Sequence, residues 1–410
     1  MRNRSRSGVG PVVIERAQAG GTVRASRSSA GAAAPRPERG NVRKKFLWVL
    51  GLATLTLVLA ACSAPDATQS TLKPVGEVAK QQKSLFDLVF WIAVGVFIIV
   101  EGGILLILFR YRQRKGRERM PKQTHGNTRL EVGWTILPAL VLAVVMVPTI
   151  SMIWDLARAP SKDALNITVK GYQWWWGFEY PDLVTGFGDQ KAVQIADEMV
   201  VPTGREIYLS LSAEGGGAQD ANQDPDYQVI HSFWVPQLFG KQDVMPGRTN
   251  HILFSIDTPG TYTGQCAEFC GLQHGRMKLR VVALAPDAWA DWVEHQTLSP
   301  QPPDDALAEK GEEIFMNPLS DGRGSCVACH SVGDVGGIAG PNLSHFADPT
   351  HGCFAGCNWD TFLADGSPNE EALAAWLRDP GAVKQGAKMP NYHLDEDEID
   401  ALVAYLYSLT

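Results

Sequence analysis

The sequence predicts a multidomain fold: a two-helix transmembrane hairpin, then a β-barrel, then an all-α domain. Three observations predict it. Two apolar runs, residues 86–109 and 132–154, are each long enough to span a bilayer. Short β-rich runs separated by turn residues fill 164–284. From 306 to 410 apolar positions recur at helical spacing, as in EALAAWLRDP and EIDALVAYLYSL.

Taken in order, residues 1–45 hold eleven Lys/Arg against two acids and are rich in Ser, Ala and Gly, a disordered composition. The whole chain, at 45% hydrophobic, 20% charged and net charge −7, carries no basic excess that would point to nucleic acid. A basic start (Arg43, Lys44, Lys45), an apolar run and Leu59-Ala60-Ala61-Cys62 follow. That layout is a secretory signal of lipoprotein type, with Cys62 as the lipidated mature N-terminus. A third membrane helix followed by an idle cysteine is the alternative.

The loop between the two apolar runs, RYRQRKGRERMPKQTHGNTRLE, has eight Lys/Arg and two acids, which places it in the cytoplasm. Both ends of the hairpin then face outward, in agreement with an exported N-terminus. The expected segments are 1–61 (tail and signal), 62–160 (hairpin), 161–290 (barrel), 291–305 (linker, with TLSPQPPDD at its end) and 306–410 (helical domain). LDEDEID at 394–400 is strongly acidic.

Seven cysteines stand at 62, 266, 270, 326, 329, 353 and 357: one alone and three close pairs. Such spacing suggests metal, haem or local disulfide chemistry. GQCAEFCGLQHGRM brings Cys266, Cys270, His274 and Met277 into one loop, and VIHSFWVP upstream offers His231. Thiolate, imidazole and thioether on a β scaffold are the donors copper prefers. A mononuclear blue-copper site needs one cysteine; two bridging thiolates with one imidazole per metal describe a dinuclear centre. Met277 and the backbone carbonyl of Glu268 would be its weak axial donors. A tetrahedral Cys2His2 zinc site is the alternative, and it leaves Met277 without a role.

These segments, with GYQWWWGFEYP and LEVGWTILPAL, resemble cytochrome c oxidase subunit II from about residue 80 to 290. The resemblance implies a two-helix hairpin carrying a cupredoxin-like β-barrel outside the membrane, with a CuA dicopper centre. It implies roles for three further residues. Trp174 matches the tryptophan through which electrons reach the copper, although a buried core aromatic would look the same. Glu268 matches a glutamate whose side chain reaches magnesium at the contact with subunit I. Glu131 matches a carboxylate at the cytoplasmic mouth of a proton path; its alternative is a helix-start acid favoured by the macrodipole. Glu101, inside the first membrane helix, has no assigned role.

CVACH, at Cys326, Cys329 and His330, is the c-type haem attachment motif. Met389 is the only methionine after His330 and lies in GAKMPNY, with His393 as the rival sixth ligand. Met/His ligation raises the haem potential, which suits an electron carrier. Residues 306–410, with GPNL at 340–343, resemble class I cytochrome c, whose proline carbonyl orients the proximal histidine.

The whole resembles a caa-type subunit II with a fused C-terminal cytochrome c. That resemblance implies an electron inlet that passes electrons from its haem c through CuA to haem a of subunit I. Oxygen is reduced to water there, beside CuB, with proton pumping. It also implies subunit III as a neighbour, a quinol–cytochrome c reductase or small cytochrome as donor, and a bacterial plasma membrane location with both redox domains outside. The remaining pair, Cys353 and Cys357, is expected to form a disulfide, since the domain lies outside the cytoplasm. A metal site with His345 and His351 is the alternative.

Overall fold

The computed structural model describes residues 48–54, 56, 69–112, 123, 125–186, 191–214, 228–319, 322–348 and 352–410. The basic tail, Cys62 and most of the basic loop therefore lie outside the described residues. Residues 48–54 are helical.

Two long helices follow, α1 (Glu77–Arg110) and α2 (Thr128–Leu156), and their most apolar windows are unburied. Side chains this apolar and left unburied are matched to lipid. Asn127 caps α2 by accepting from the Arg129 and Leu130 amides, and Pro138 and Pro148 sit within the helix, a placement that membrane helices tolerate. The start of α1 is tied to the barrel: the Val75 and Gly76 amides donate to the Gln237 carbonyl at 2.8 and 3.0 Å. A Cβ on Gly76 would stand 2.5 Å from the Leu238 carbonyl oxygen, so only glycine allows this approach.

The β domain is a sandwich of two five-stranded sheets. Its strands are β1 (Leu165–Tyr172), β2 (Trp175–Val184), β3 (Ala192–Ala196), β4 (Glu198–Pro202) and β5 (Glu206–Ala213). They continue as β6 (His231–Trp234), β7 (Gln242–Val244), β8 (Asn250–Ser255), β9 (Gly260–Cys266) and β10 (Lys278–Leu284). The sheet orders are β3-β2-β1-β5-β8 and β4-β10-β9-β6-β7. In β1 and β5, Leu165, Ile167, Val169, Ile207, Leu209 and Leu211 alternate inward and are essentially inaccessible. Period-two alternation of this kind fixes register, because a one-residue slip would expose the whole set. GYQWWWGFEY reads as one β run, yet it turns at Gln173-Trp174 and pairs with itself, Tyr172 opposite Trp175.

Helix α3 (Pro286–Thr297) corrects the expected linker. Residues 291–297 are helical, and Trp292 is buried, stacked on Trp289 and against Tyr180. Burying an indole is worth more than the freedom of a tether. The extended stretch begins at Leu298.

The last domain has α4 (Ala306–Met316), a 3₁₀ turn at Cys326–Ala328, β11 (Ser331–Val332), β12 (Val335–Gly336), β13 (Cys353–Phe354), β14 (Trp359–Asp360), α5 (Glu370–Arg378), α6 (Pro380–Val383) and α7 (Glu396–Ser408). Helices α4 and α7 cross at Gly311, where a Cβ would stand 2.0 Å from the Ala401 carbonyl. The acidic run 394–400 is the start of α7: Asp395 and Glu398 form a capping box.

Candidate functional site

His231 opens β6, Cys266 closes β9, and the loop to β10 carries Cys270, His274 and Met277. The Cys266 and Cys270 sulfurs lie 3.8 Å apart. His231 Nδ1 is 3.9 Å from Cys266 Sγ, and His274 Nδ1 is 3.7 Å from Cys270 Sγ. Met277 Sδ is 3.8 Å from Cys270 Sγ, and the Glu268 carbonyl is 3.2 Å from Cys266 Sγ. The two sulfurs share a contact that lowers the Cys266 thiol and raises the Cys270 thiol. One of the pair is therefore poised as thiolate, the form that binds metal.

Among the described residues, His231, Cys266 and Cys270 are the group whose ligand atoms all lie within 4.8 Å of one another. His274 approaches from the Cys270 side and does not join that group, so the four donors do not converge on one tetrahedral point. A two-metal arrangement about paired sulfurs fits the donors. Among the described residues the buried His231 Nε2 has no hydrogen-bond partner, and Gly171 makes room for its ring: a Cβ there would meet it at 2.9 Å.

Trp174 is 7% exposed, and its indole N–H donates to the Cys270 carbonyl at 2.9 Å. Trp176 is a core aromatic packed edge-on to His231 and Phe233, and Trp175 stacks on Tyr172. The Glu268 side chain accepts from the Phe269 amide at 3.3 Å, next to the exposed Phe269 and Leu272. Glu131 lies in the first turn of α2 and accepts from the Asn127 amide at 3.2 Å, 19 residues before Ile150 on a helix with no buried residue.

In the last domain a cavity of about 420 Å³ is lined by Cys326, Cys329, His330 and Met389, a size proper to a cofactor site. The His330 Nδ1–H donates to the Pro341 carbonyl at 2.9 Å. This leaves Nε2 as the free lone pair, and burial lowers the ring's basicity against the opposing pull of that bond. A Cβ on Gly340 would stand 2.7–3.1 Å from the His330 ring. His393 is exposed and does not line the cavity. Two free cysteines, an oriented imidazole and a thioether around an apolar cavity fit a covalently attached haem. Trp174 and Asp197 of the β domain line the same cavity.

Cys353 and Cys357 are disulfide-bonded, with Cα atoms 4.8 Å apart, inside the ordinary range. Of the alternative metal ligands, His345 faces the Thr410 carbonyl at 3.2 Å, and His351 lies outside the described residues. Sequence reasoning missed Gln173, Asp197, Glu198 and Lys384. Gln173 donates to the Cys270 carbonyl, and the other three are buried charges between the domains. No local pattern marks them.

Comparison with known proteins identifies the family of each segment. The family described as cytochrome C oxidase subunit II, periplasmic domain, matches residues 165–284, and its transmembrane domain matches 73–152. The family described as cytochrome c matches 308–410. The chain is 34% identical over 366 residues to cytochrome c oxidase subunit 2 of Alkalihalophilus pseudofirmus, covering 88% of this chain and 96% of that one. It is 34% identical to the same subunit of Bacillus sp. (strain PS3), covering 87% and 95%, and 31% identical to that of Bacillus subtilis, covering 89% and 98%. With its two membrane helices, its His/Cys/Cys/Met cluster and its haem-attachment motif, the chain belongs to the cytochrome c oxidase subunit II family and carries a fused cytochrome c domain.

Proposed function

We propose that this chain is the electron inlet of its oxidase, taking electrons at its haem domain and delivering them from the copper loop to haem a of subunit I. There, beside CuB, oxygen would be reduced to water with proton pumping. One observation carries the reading: Trp174 lines the haem cavity while its indole holds the carbonyl of the copper ligand Cys270. Bound in these sites, the haem and the two coppers would supply one-electron carriers; the chain sets ligation, spacing and burial.

Cys326 and Cys329 would hold the porphyrin, with His330 and Met389 as axial ligands. His231, Cys266, Cys270, His274 and Met277, with the Glu268 carbonyl, would hold the copper. The Glu268 carboxylate would reach magnesium at subunit I, and loss of that magnesium from a Glu268→Ala complex would test the assignment. Subunit III would complete the core, and a quinol–cytochrome c reductase or small cytochrome would be the donor. The fused haem makes the final encounter intramolecular, so its effective concentration is high at any salt.

The hairpin would lie in a bacterial plasma membrane with both redox domains outside, an orientation that the basic loop between its helices supports. Cys62 would be lipidated and residues 1–61 removed, which intact-mass measurement of the mature chain decides. The functional reading is tested by purifying the chain from native membranes. A haem a-containing subunit I should accompany it, and the complex should consume oxygen with a reduced small cytochrome. A chain that purifies alone, without haem a, would contradict it.

A further inference from the structure

The two redox domains meet along a seam built from specific polar contacts. The disulfide-closed segment 352–358 lies against β4 and β10 of the barrel. Its Gly356 amide donates to Asp197 Oδ2 at 2.6 Å and its Gly352 amide to Glu198. Asn358 donates to the Arg276 carbonyl at 2.7 Å, and Arg276 in turn donates to the Val383 carbonyl at 2.8 Å. Arg280 donates to the Gly352 carbonyl at 2.9 Å and pairs with Asp360. Gln273, in the copper loop, donates to the Gln385 carbonyl at 2.5 Å.

At the centre of this seam is Lys384, which is 4% exposed. It follows α6 in the haem domain, five residues before Met389. Its ammonium donates to the carbonyl of Trp174 at 2.7 Å and to that of Ala355, in the disulfide loop, at 3.0 Å. The Asp197 carboxylate is its counter-charge. A buried ammonium is costly unless paired and hydrogen-bonded, and this one is spent on three segments at once. Gly386, two residues on, lies against the Trp174 ring with a φ of +78°, a conformation that favours glycine. Leaving one member of such a network unpaired costs more than the pair contributes, so the arrangement is held in one geometry.

We propose that Lys384 is a positioning residue for electron transfer between the domains: it fixes Trp174, and with it the copper loop, against the haem cavity. The inference rests on Trp174 being the electron inlet to copper and deepens that reading. Lys384 also lines the haem cavity; in this role it acts through the Trp174 main chain.

The test uses the assembled oxidase with a photoreductant that delivers an electron to the haem domain, so that haem-to-copper transfer is timed directly. Lys384→Met keeps the length of the side chain and removes the charge. The expected result is a transfer rate lower by roughly tenfold or more than the measured haem and copper potentials account for, with both spectra unchanged. Because Lys384→Met leaves Asp197 buried and unpaired, the double variant Lys384→Met/Asp197→Asn is measured beside it and should show the same slow transfer. A wild-type rate in either variant overturns the proposal, and so does a slow rate accounted for by a shifted potential. Trp174→Phe separates the two readings. Slow transfer there with a wild-type rate in the lysine variants would defeat Lys384 and keep the inlet; the reverse pattern would defeat the inlet and, with it, the role of Lys384 through Trp174.

Discussion

The indole N–H of Trp174 and the side-chain amide of Gln173 both donate to the carbonyl oxygen of Cys270, each at 2.9 Å. A turn between β1 and β2 thereby holds the loop that presents the second cysteine. The same indole forms part of the wall of the haem cavity. A single side chain is thus shared by the two sites, which follow one another in the chain by some 50 residues between Met277 and Cys326.

Met389→Ala should remove the thioether-to-iron charge-transfer band and lower the haem potential, since thioether ligation raises it. The cavity geometry motivates this, with Met389 lining it and His393 exposed. An unchanged band in the purified variant would show that another group ligates the iron.

Gly340→Ala should disturb haem ligation although the residue binds nothing. The new Cβ would meet the His330 ring at 2.7–3.1 Å, and overpacking of this kind costs about 1–3 kcal/mol. Optical titration of the haem potential, with thermal unfolding, checks it. A variant indistinguishable from wild type in both would mean that the ring has room to move.

Burial raises Glu198 from its usual 4.5 to about 7, against the opposing pull of the Gly352 amide and Arg280. An acid raised on folding binds more protons folded than unfolded, so its contribution to stability falls as pH rises from about 4.5 through 7. Glu198→Gln, neutral throughout, should therefore gain on wild type as pH rises, by on the order of 1–3 kcal/mol above pH 7, and differ little below pH 5. Thermal unfolding of the intact chain across this range tests the sign; a difference independent of pH would refute it.

Glu131→Gln should slow proton-coupled turnover of the assembled oxidase while leaving haem-to-copper transfer unchanged. The motive is its position in the first turn of α2, which the charge of the preceding loop would put on the cytoplasmic side. Its bond to the Asn127 amide also suits a simple helix-start acid, and wild-type turnover in the variant would leave it that role alone.

Most of the candidate donors were legible in the sequence because they are local, with His231 and Met389 the distant ones. Cys266, Cys270, His274 and Met277 fall within one loop, Cys326, Cys329 and His330 within one turn, and the acidic run before Ile399 is a helix start. The membrane hairpin was legible from length and charge alone. The seam was not. Lys384 meets Trp174 across 210 residues and Asp197 meets Gly356 across 159, and charged residues are so seldom buried that nothing in their neighbourhood marks them. The turn inside GYQWWWGFEY and the helix within the expected linker were hidden for a related reason. Aromatic-rich runs satisfy strand propensity whether or not they reverse, and the burial of Trp292 is a tertiary fact.

The central claim is that paired thiolates hold two coppers beside a haem in one chain, and electron paramagnetic resonance of the half-reduced protein, with metal analysis, tests it most directly. Two coppers per haem iron and a mixed-valence signal delocalised over both coppers are expected. Cys266→Ser should abolish that signal and leave the haem spectrum intact, because the haem ligands all lie in the other domain. One copper per chain, a localised signal, or zinc in protein from copper-replete cells would contradict the account.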